Sequence, residues 1–235
     1  MSNLLSSLIT PALIGLLITA SFLVIVNDWR LGFIALAAQY LLAAVLIAQI
    51  AVWQVVVVKI IAGLLSVGIL YLTGAEVNFG RKIKEEGRTK KEETPATTFG
   101  QQPPSANNQP LSARFEFPTG LPFRVLAVLM VSIAAWNIAT QSDFVLHGIP
   151  SWLNVAGYLL IALSLLNLGL TEEPMNAGLG LLTLLTGFGI FYTAVEPSLA
   201  VVALLAAVDF VIALAVGYLA FLHYAAVEVE QEVSR

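Results

Sequence analysis

Two charged side chains lie within long apolar stretches of the sequence, where an isolated charge is energetically costly. Asp209 lies in VVALLAAVDFVIALAVGYL, and Lys59 lies in WQVVVVKIIAGLLSVGILYL. Ionisable residues inside membrane-spanning helices usually pair with one another or line a pathway for protons or ions. Gln39, in LGFIALAAQYLLAAVLIA, is neutral but needs a hydrogen-bond partner in the same surroundings. These three residues are our candidates for a proton or ion path.

Each candidate also has a structural interpretation. Asp209 lies about ten residues from the end of its apolar run, close to mid-membrane at a rise of about 1.5 Å per residue. It suits either a proton relay or a hydrogen bond that joins two helices. Lys59 lies nearer an end, so its stem either extends to the interface or holds a buried cation. Such a cation pairs with a carboxylate, for which Asp209 is a candidate, or passes protons. Gln39 suits a hydrogen bond between helices.

The composition places these residues in a membrane protein. Of 235 residues, 58% are hydrophobic and 11% are charged, whereas about 25% of the residues in a soluble domain are charged. The sequence has no cysteine and only two distant histidines, which argues against disulfides, cysteine nucleophiles and a metal site. No nucleotide-binding or hydrolase motif is present. We therefore predict no metal, no cofactor and no enzymatic activity for the chain alone.

The apolar stretches predict an all-α membrane protein of about seven transmembrane helices. The run from Leu31 to Ala75 is about twice the length of one span, so it predicts two helices with a turn near Gln49–Gln54. Polar or proline-containing breaks separate the later helices. The predicted spans are Leu8–Val26, two within Leu31–Ala75, then Phe123–Thr140, Ser151–Leu170, Met175–Val195 and Ser198–Leu222.

These spans divide the chain into three parts. Residues 1–75 form a first three-helix membrane unit, and residues 122–235 form a four-helix unit, an extra helix plus a second three-helix unit, with a short acidic tail. Between them, residues 76–121 hold RKIKEEGRTKKEE and a stretch rich in Pro, Gln, Asn, Ser and Thr. This segment cannot bury enough apolar surface to offset the entropy of ordering. We predict a disordered cytoplasmic linker, either a solvated connector or a docking arm.

Lys and Arg residues indicate how the helices are oriented, because they are enriched on the cytoplasmic side. With seven spans, one side of the membrane carries Arg30, the basic cluster 81–91, Arg114, Arg124 and Arg235. The other side carries Asp143, His147 and Glu196. We therefore predict an integral protein of a bacterial-type plasma membrane, with its N-terminus outside and its C-terminus in the cytoplasm. The basic segment has many acids and no interleaved aromatic residues, so we predict no nucleic-acid partner.

Helices one to three and five to seven share a topology and similar endings, SVGILYL and VIALAVGYL, from which we hypothesise a duplication. The three-helix unit resembles the small K subunit of NADH–quinone oxidoreductase. The relatives of that subunit are the C subunit of Mrp-type cation/proton antiporters and component E of membrane-bound hydrogenases. The resemblance lies in Gly180–Ala194 and RLGFIALAAQYLLAA, which match the family's second helix, and in Leu204–Leu219, which matches its third.

The resemblance implies roles for the three candidates. Asp209 matches a membrane-embedded glutamate of the family's proton path, and Gln39 matches the other family glutamate. Lys59 is similar to a lysine of the hydrogenase-type relative. The remaining two glutamate positions hold Gly189 and Leu64. One acid of four is therefore present, and a complete carboxylate relay within this chain is not implied.

The sequence favours an accessory membrane subunit of a complex I-like, antiporter-like or hydrogenase-like assembly that contributes to proton or cation translocation. Such a subunit packs beside other membrane subunits in the lipid bilayer, and it takes part in enzymatic turnover only within a proton-translocating oxidoreductase. Two alternatives remain open. One is a stand-alone small membrane transporter built on a repeat, and the other is a structural or assembly membrane protein without a transport role.

Overall fold

The computed structural model describes residues 8–26, 28–92, 120–141 and 148–233. This part of the chain contains seven α-helices and no β-strand. The helices are α1 Ile9–Ile25, α2 Trp29–Ile47, α3 Trp53–Glu92, α4 Gly120–Thr140, α5 Ser151–Leu170, α6 Pro174–Val195 and α7 Leu199–Val233. The predicted all-α membrane architecture is confirmed, and the turn between α2 and α3 falls within the predicted window.

Six of these helices, α2 to α7, are long and apolar enough to cross a membrane. Helix α1 is apolar too, but it has 17 residues. At about 1.5 Å per residue, α1 is about 25 Å long and slightly shorter than the hydrocarbon core of a bilayer. The length criterion therefore supports six spans and leaves α1 as a short seventh helix.

Helices α3 and α7 extend past their predicted ends. Helix α3 continues beyond Ala75 to Glu92, so the first part of the segment predicted to be a linker is helical. Its Lys, Glu and Arg residues are good helix formers, and they prolong a helix that is already nucleated. Helix α7 likewise continues beyond Leu222 to Val233. Residues 93–119, the rest of the predicted linker, lie outside the described residues.

The helices form two rows of three. Within each unit, consecutive helices pack against each other, α1 on α2 and α2 on α3, then α5 on α6 and α6 on α7. Between the units, each helix packs against its counterpart, so that α1 contacts α5, α2 contacts α6 and α3 contacts α7. Helix α4 packs at the end of the rows, against α5 and α1. The packing thus shows two rows of three helices with α4 beside them, and the division of the chain into two units and a linker stays a prediction.

Arg124 shows how the rows are oriented. Its guanidinium donates to the carbonyl of Val24 at 3.3 Å and to the carbonyl of Leu170 at 3.4 Å. The beginning of α4 therefore lies level with the ends of α1 and α5, and these two helices run in the same direction. A cation beside two helix C-termini is favourable, because the partial charge at each terminus is negative.

Candidate functional site

Lys59 and Asp209 form a buried ion pair between α3 and α7. The Lys59 Nζ lies 3.1 Å from Asp209 Oδ2, and the two side chains are 3% and 1% exposed. The pair joins the first unit to the second across 150 residues of sequence. The two mid-helix charges of the sequence are thus each other's partners, which is the arrangement that makes a buried charge tolerable.

The packing of α3 on α7 determines which way the lysine stem points. A Cβ added to Gly217 would lie 3.0 Å from the Thr73 hydroxyl, so these two positions are level. The Lys59 backbone is therefore level with residue 203 or so, about six residues or 9 Å from Asp209 at 1.5 Å per residue. The flexible stem spans this distance toward the interior of the bundle. The interpretation in which Lys59 extends to the interface is wrong, since its ammonium is buried.

Two glycines shape the space around the ammonium. A Cβ at Gly189 of α6 would lie 3.0 Å from Lys59 Nζ, so the missing side chain leaves room for the charged tip. Gly63, one turn after Lys59 on α3, packs directly against the ring of Tyr40. The centroid of that ring lies 5.9 Å from Lys59 Nζ, within the range of a cation–π attraction. Helices α2, α3, α6 and α7 all contribute to this centre.

Gln39 lies next to Tyr40 on α2 and contacts α6 rather than the ion pair. The Thr183 hydroxyl is 3.4 Å from Gln39 Oε1 and donates more closely, at 2.9 Å, to the carbonyl of Leu179 in its own helix. Gln39 makes no hydrogen bond to Lys59 or Asp209. The structure therefore brings Lys59 and Asp209 into direct contact. It places Gln39 next to Tyr40, whose ring lies near the ammonium, but not in the ion pair itself.

Several buried polar groups of α2 and α3 lack partners among the described residues. Gln39 Nε2 donates no hydrogen bond to a described residue, and Ser66 Oγ neither donates nor accepts one. Both residues are fully buried. The Tyr40 hydroxyl faces Thr186 without a well-formed hydrogen bond. Ser66 lies two turns from Lys59 on the same face of α3, because residues three and four apart lie above one another. These groups are neutral donors and acceptors on the two helices that pack around Lys59.

Sequence reasoning missed Tyr40, Thr183 and Thr186. Each threonine hydroxyl donates to a carbonyl one turn back in α6. Threonine commonly does this in apolar helices, so a threonine in such a sequence carries no functional signal. Tyr40 lies beside Gln39 in sequence, but only the packing of α3 on α2 shows that its ring faces Lys59. Asn137 of α4, by contrast, is exposed and donates to the carbonyl of Ile133.

The four positions that the resemblance matches to family glutamates are now placed. Asp209 and Gly189 both contact Lys59, and Gln39 lies one residue before Tyr40, whose ring faces the ammonium. Leu64 lies on the opposite side of α3 and is 44% exposed. The chemistry is thus concentrated between the units, where a single carboxylate and a single ammonium meet.

Among the described residues, no group of three or more His, Asp or Glu side chains is close enough to hold a metal ion. The site is an ammonium–carboxylate pair with hydroxyl and amide neighbours. Comparison with protein-family models, with curated proteins and with solved structures finds no match for this chain. The resemblance to the small K subunit stays a prediction.

Proposed function

We propose that this chain is an accessory membrane subunit of a complex I-like, antiporter-like or hydrogenase-like assembly. In this proposal, the Lys59–Asp209 pair takes part in proton or cation translocation. The observation that supports it most directly is the burial of both charges within an apolar bundle. A buried ion pair is weak as a source of stability, because desolvation offsets the attraction between the charges. Inside a membrane, such residues by default indicate a pathway.

The geometry gives the pair two states that differ by one proton. When Asp209 is ionised, its carboxylate holds the Lys59 ammonium at 3.1 Å. A proton that arrives on Asp209 neutralises the carboxyl group and leaves the ammonium as an uncompensated cation in a medium of low polarity. That cation then favours either loss of the proton from Asp209 or loss of its own proton. Proton arrival at one residue is thereby coupled to proton release or side-chain movement at the other.

The same contact also favours a second, structural function. Because Lys59 belongs to the first unit and Asp209 to the second, the pair joins the two rows whether or not it moves protons. A stand-alone transporter has less support, since substrate sites of such proteins often lie at broken helices and α2 to α7 are each continuous.

The test is an exchange of Asp209 for Asn in the intact assembly. We expect purification from native membranes in mild detergent to retain large partner subunits. The assembly is then reconstituted in liposomes that contain a pH-sensitive dye, and a potassium diffusion potential drives protons inward. Asp209→Asn should slow internal acidification by about 100-fold or more, because a positioned proton-transfer group contributes about 10²–10⁴ in rate. Asp209→Glu keeps the carboxyl group and should retain measurable transport.

Two further variants separate transport from structure. Asn137→Ala changes an exposed polar residue of α4 and should leave the acidification rate unchanged. The double variant Lys59→Met/Asp209→Leu removes both charges and should fold, since an apolar pair of similar volume replaces a buried ion pair without a stability loss. If liposomes that contain this double variant acidify as fast as those with the unmodified protein, the pair only holds the two units together. If the isolated chain transports without partner subunits, the stand-alone alternative replaces our proposal.

A further inference from the structure

The Lys59 side chain reaches Asp209 by pointing against the direction that its helix favours. In an α-helix the Cα–Cβ bonds tilt toward the N-terminus, and long side chains usually follow them. Helix α3 begins at Trp53, so this direction leads toward the Trp53 end of the bundle. Asp209 instead lies about six residues beyond the level of Lys59, toward the opposite end. The stem therefore departs from its usual direction, and the ion pair at 3.1 Å is the contact that holds it there.

Helix α6 runs beside the lysine, antiparallel to α3 and α7. Gly178, near its beginning, packs against Val216 of α7, which is level with residue 72 of α3 by the same alignment of α3 with α7. Gly189 packs against the ammonium. Thr193 comes fifteen residues after Gly178 and is therefore level with residue 57 or so. The direction from Gly189 to Thr193 thus leads from the ammonium toward the Trp53 end.

Three positions of α6 follow one another in this direction. Gly189, Thr193 and Glu196 are spaced by four and three residues, a spacing that keeps residues on one side of a helix. Thr193 is 2% exposed, and its hydroxyl donates to the carbonyl of Gly189 at 2.7 Å, so its oxygen can still accept a hydrogen bond. Glu196 directly follows the last residue of α6 and is exposed. An ammonium that moves in this direction meets first a hydroxyl oxygen and then a carboxylate.

The lysine stem is long enough for this movement. By the same count, Glu196 is level with residue 54 of α3 or so, about five residues or 8 Å from Lys59. Asp209 lies about 9 Å away in the opposite direction, and the stem already spans that distance. Val55 and Val202 are fully buried between the levels of Lys59 and Glu196. They offer an apolar surface to the stem, as is common for a lysine whose charged tip reaches water.

Asp209 supplies the charge that decides between the two positions. In the described part of the chain, two titratable groups approach the ammonium, the carboxyl group of Asp209 and the phenol of Tyr40. Helix α6 approaches it with Gly189. A proton on Asp209 removes the negative charge from this set, and an ammonium left alone in an apolar medium is driven toward water.

We infer that Thr193 and Glu196 form a second binding position for the Lys59 ammonium, which is occupied when Asp209 carries a proton. The inference rests on the proposed function and adds the direction in which the charge moves. Each proton that arrives on Asp209 drives one positive charge toward the Trp53 end of the bundle. The proton itself stays on the carboxyl group during this movement, and the ammonium keeps its own three protons.

Chemical modification of the lysine amine tests this movement, with Asp209→Asn in place of the protonated carboxyl group. The purified protein in lipid nanodiscs is treated with a water-soluble N-hydroxysuccinimide ester. Mass spectrometry of the peptide that contains Lys59 then gives the reaction rate. Lys59 is 2% exposed, so the unsubstituted protein should react slowly. Asp209→Asn should react about 10-fold faster or more, because a buried charge without its partner is strongly unfavourable. Asp209→Glu keeps a carboxylate and should react as slowly as the unsubstituted protein.

Two further variants distinguish a directed movement from a general opening of the bundle. Thr193→Val and Glu196→Gln, added together to Asp209→Asn, remove the second position and should slow the reaction severalfold. Ala156→Cys lies at a fully buried position of α5 in a chain with no other cysteine. This cysteine should stay unreactive toward a maleimide when it is combined with Asp209→Asn.

Three results would overturn the inference: Asp209→Asn leaves Lys59 protected, the cysteine at position 156 becomes reactive as well, or the triple variant reacts as fast as Asp209→Asn. Amine modification does not measure transport. A failure of the proposed function in liposomes and a failure of this movement are therefore separate results.

Discussion

The ammonium of Lys59 and the carboxylate of Asp209 are each unfavourable alone in an apolar bundle, and each is tolerable only beside the other. Removing one partner of a buried pair typically costs about 3–5 kcal/mol, because the remaining charge is left uncompensated. The sequence identifies both residues, since charges in apolar runs stand out. It cannot show that they meet, because the contact joins residues 150 positions apart.

Gly189 leaves room for the ammonium of Lys59. Gly68, which faces open space, serves as the control for a glycine-to-alanine substitution. A methyl group at Gly189 would lie 3.0 Å from Lys59 Nζ, whereas no atom lies within 4 Å of a Cβ at Gly68. Gly189→Ala should displace the lysine tip, lengthen the ion pair and slow transport. Gly68→Ala should raise stability by about 0.5–1 kcal/mol, because alanine favours a helix over glycine. Thermal unfolding in detergent and liposome acidification measure the two effects. If both variants behave alike in both assays, Gly189 has no role in positioning Lys59.

At the scale of helices, apolar run length predicted most of the architecture. All seven helices begin and end near the expected residues inside the membrane, because run length and polar breaks determine them. The ends outside the membrane were not predicted, since the charged residues after Ala75 suit both a helix and a solvated connector. The packing of α3 on α7 was not predictable either. Leucine- and alanine-rich helices offer similar surfaces to many neighbours, and only tertiary packing selects among them.

Arg124 links three helices, and its substitution should loosen the end of the bundle. Its two hydrogen bonds go to the ends of α1 and α5. Arg124→Met should lower stability by about 1–3 kcal/mol, since hydrogen bonds to a charged group are stronger than neutral ones. Arg124→Lys keeps the charge but not the planar fork, so it should recover only part of the loss. The midpoint of thermal unfolding in detergent measures both. A methionine variant as stable as the unmodified protein would show that α4 is held by apolar packing alone.

At the scale of the molecule, the two units depend on each other to pair the buried charges that the described residues contain. The first unit supplies Lys59 and Tyr40, and the second supplies Asp209 and Gly189. Neither unit alone contains both members of this pair. Under the hypothesis of a duplication, each copy keeps one charge, and the copies form a single site between them rather than two equivalent sites. In our proposal the pair therefore carries the chemistry of the bundle, rather than all four positions that the resemblance matches to glutamates.

The orientation in the membrane stays a prediction, and single cysteines can test it. Glu196 and Glu172 are both exposed, and they lie in turns at opposite ends of α6. With the N-terminus outside, a membrane-impermeant maleimide should label Glu196→Cys in intact cells. It should label Glu172→Cys only after the membrane is permeabilised. The reverse labelling pattern would invert the assignment, because basic residues would then lie outside.

The distance in sequence between Lys59 and Asp209 also matters while the chain is being made. Synthesis proceeds from the N-terminus, so α3 enters the membrane long before α7 exists. During this interval Lys59 lacks Asp209 as a partner, and its cost approaches the roughly 2.5–3.5 kcal/mol of a lysine at the centre of a spanning helix only if its stem points toward mid-membrane. Its long stem relieves the cost by reaching the nearer interface until α7 arrives. We therefore expect Lys59 to become buried only when α7 has entered the membrane and Asp209 has paired with it.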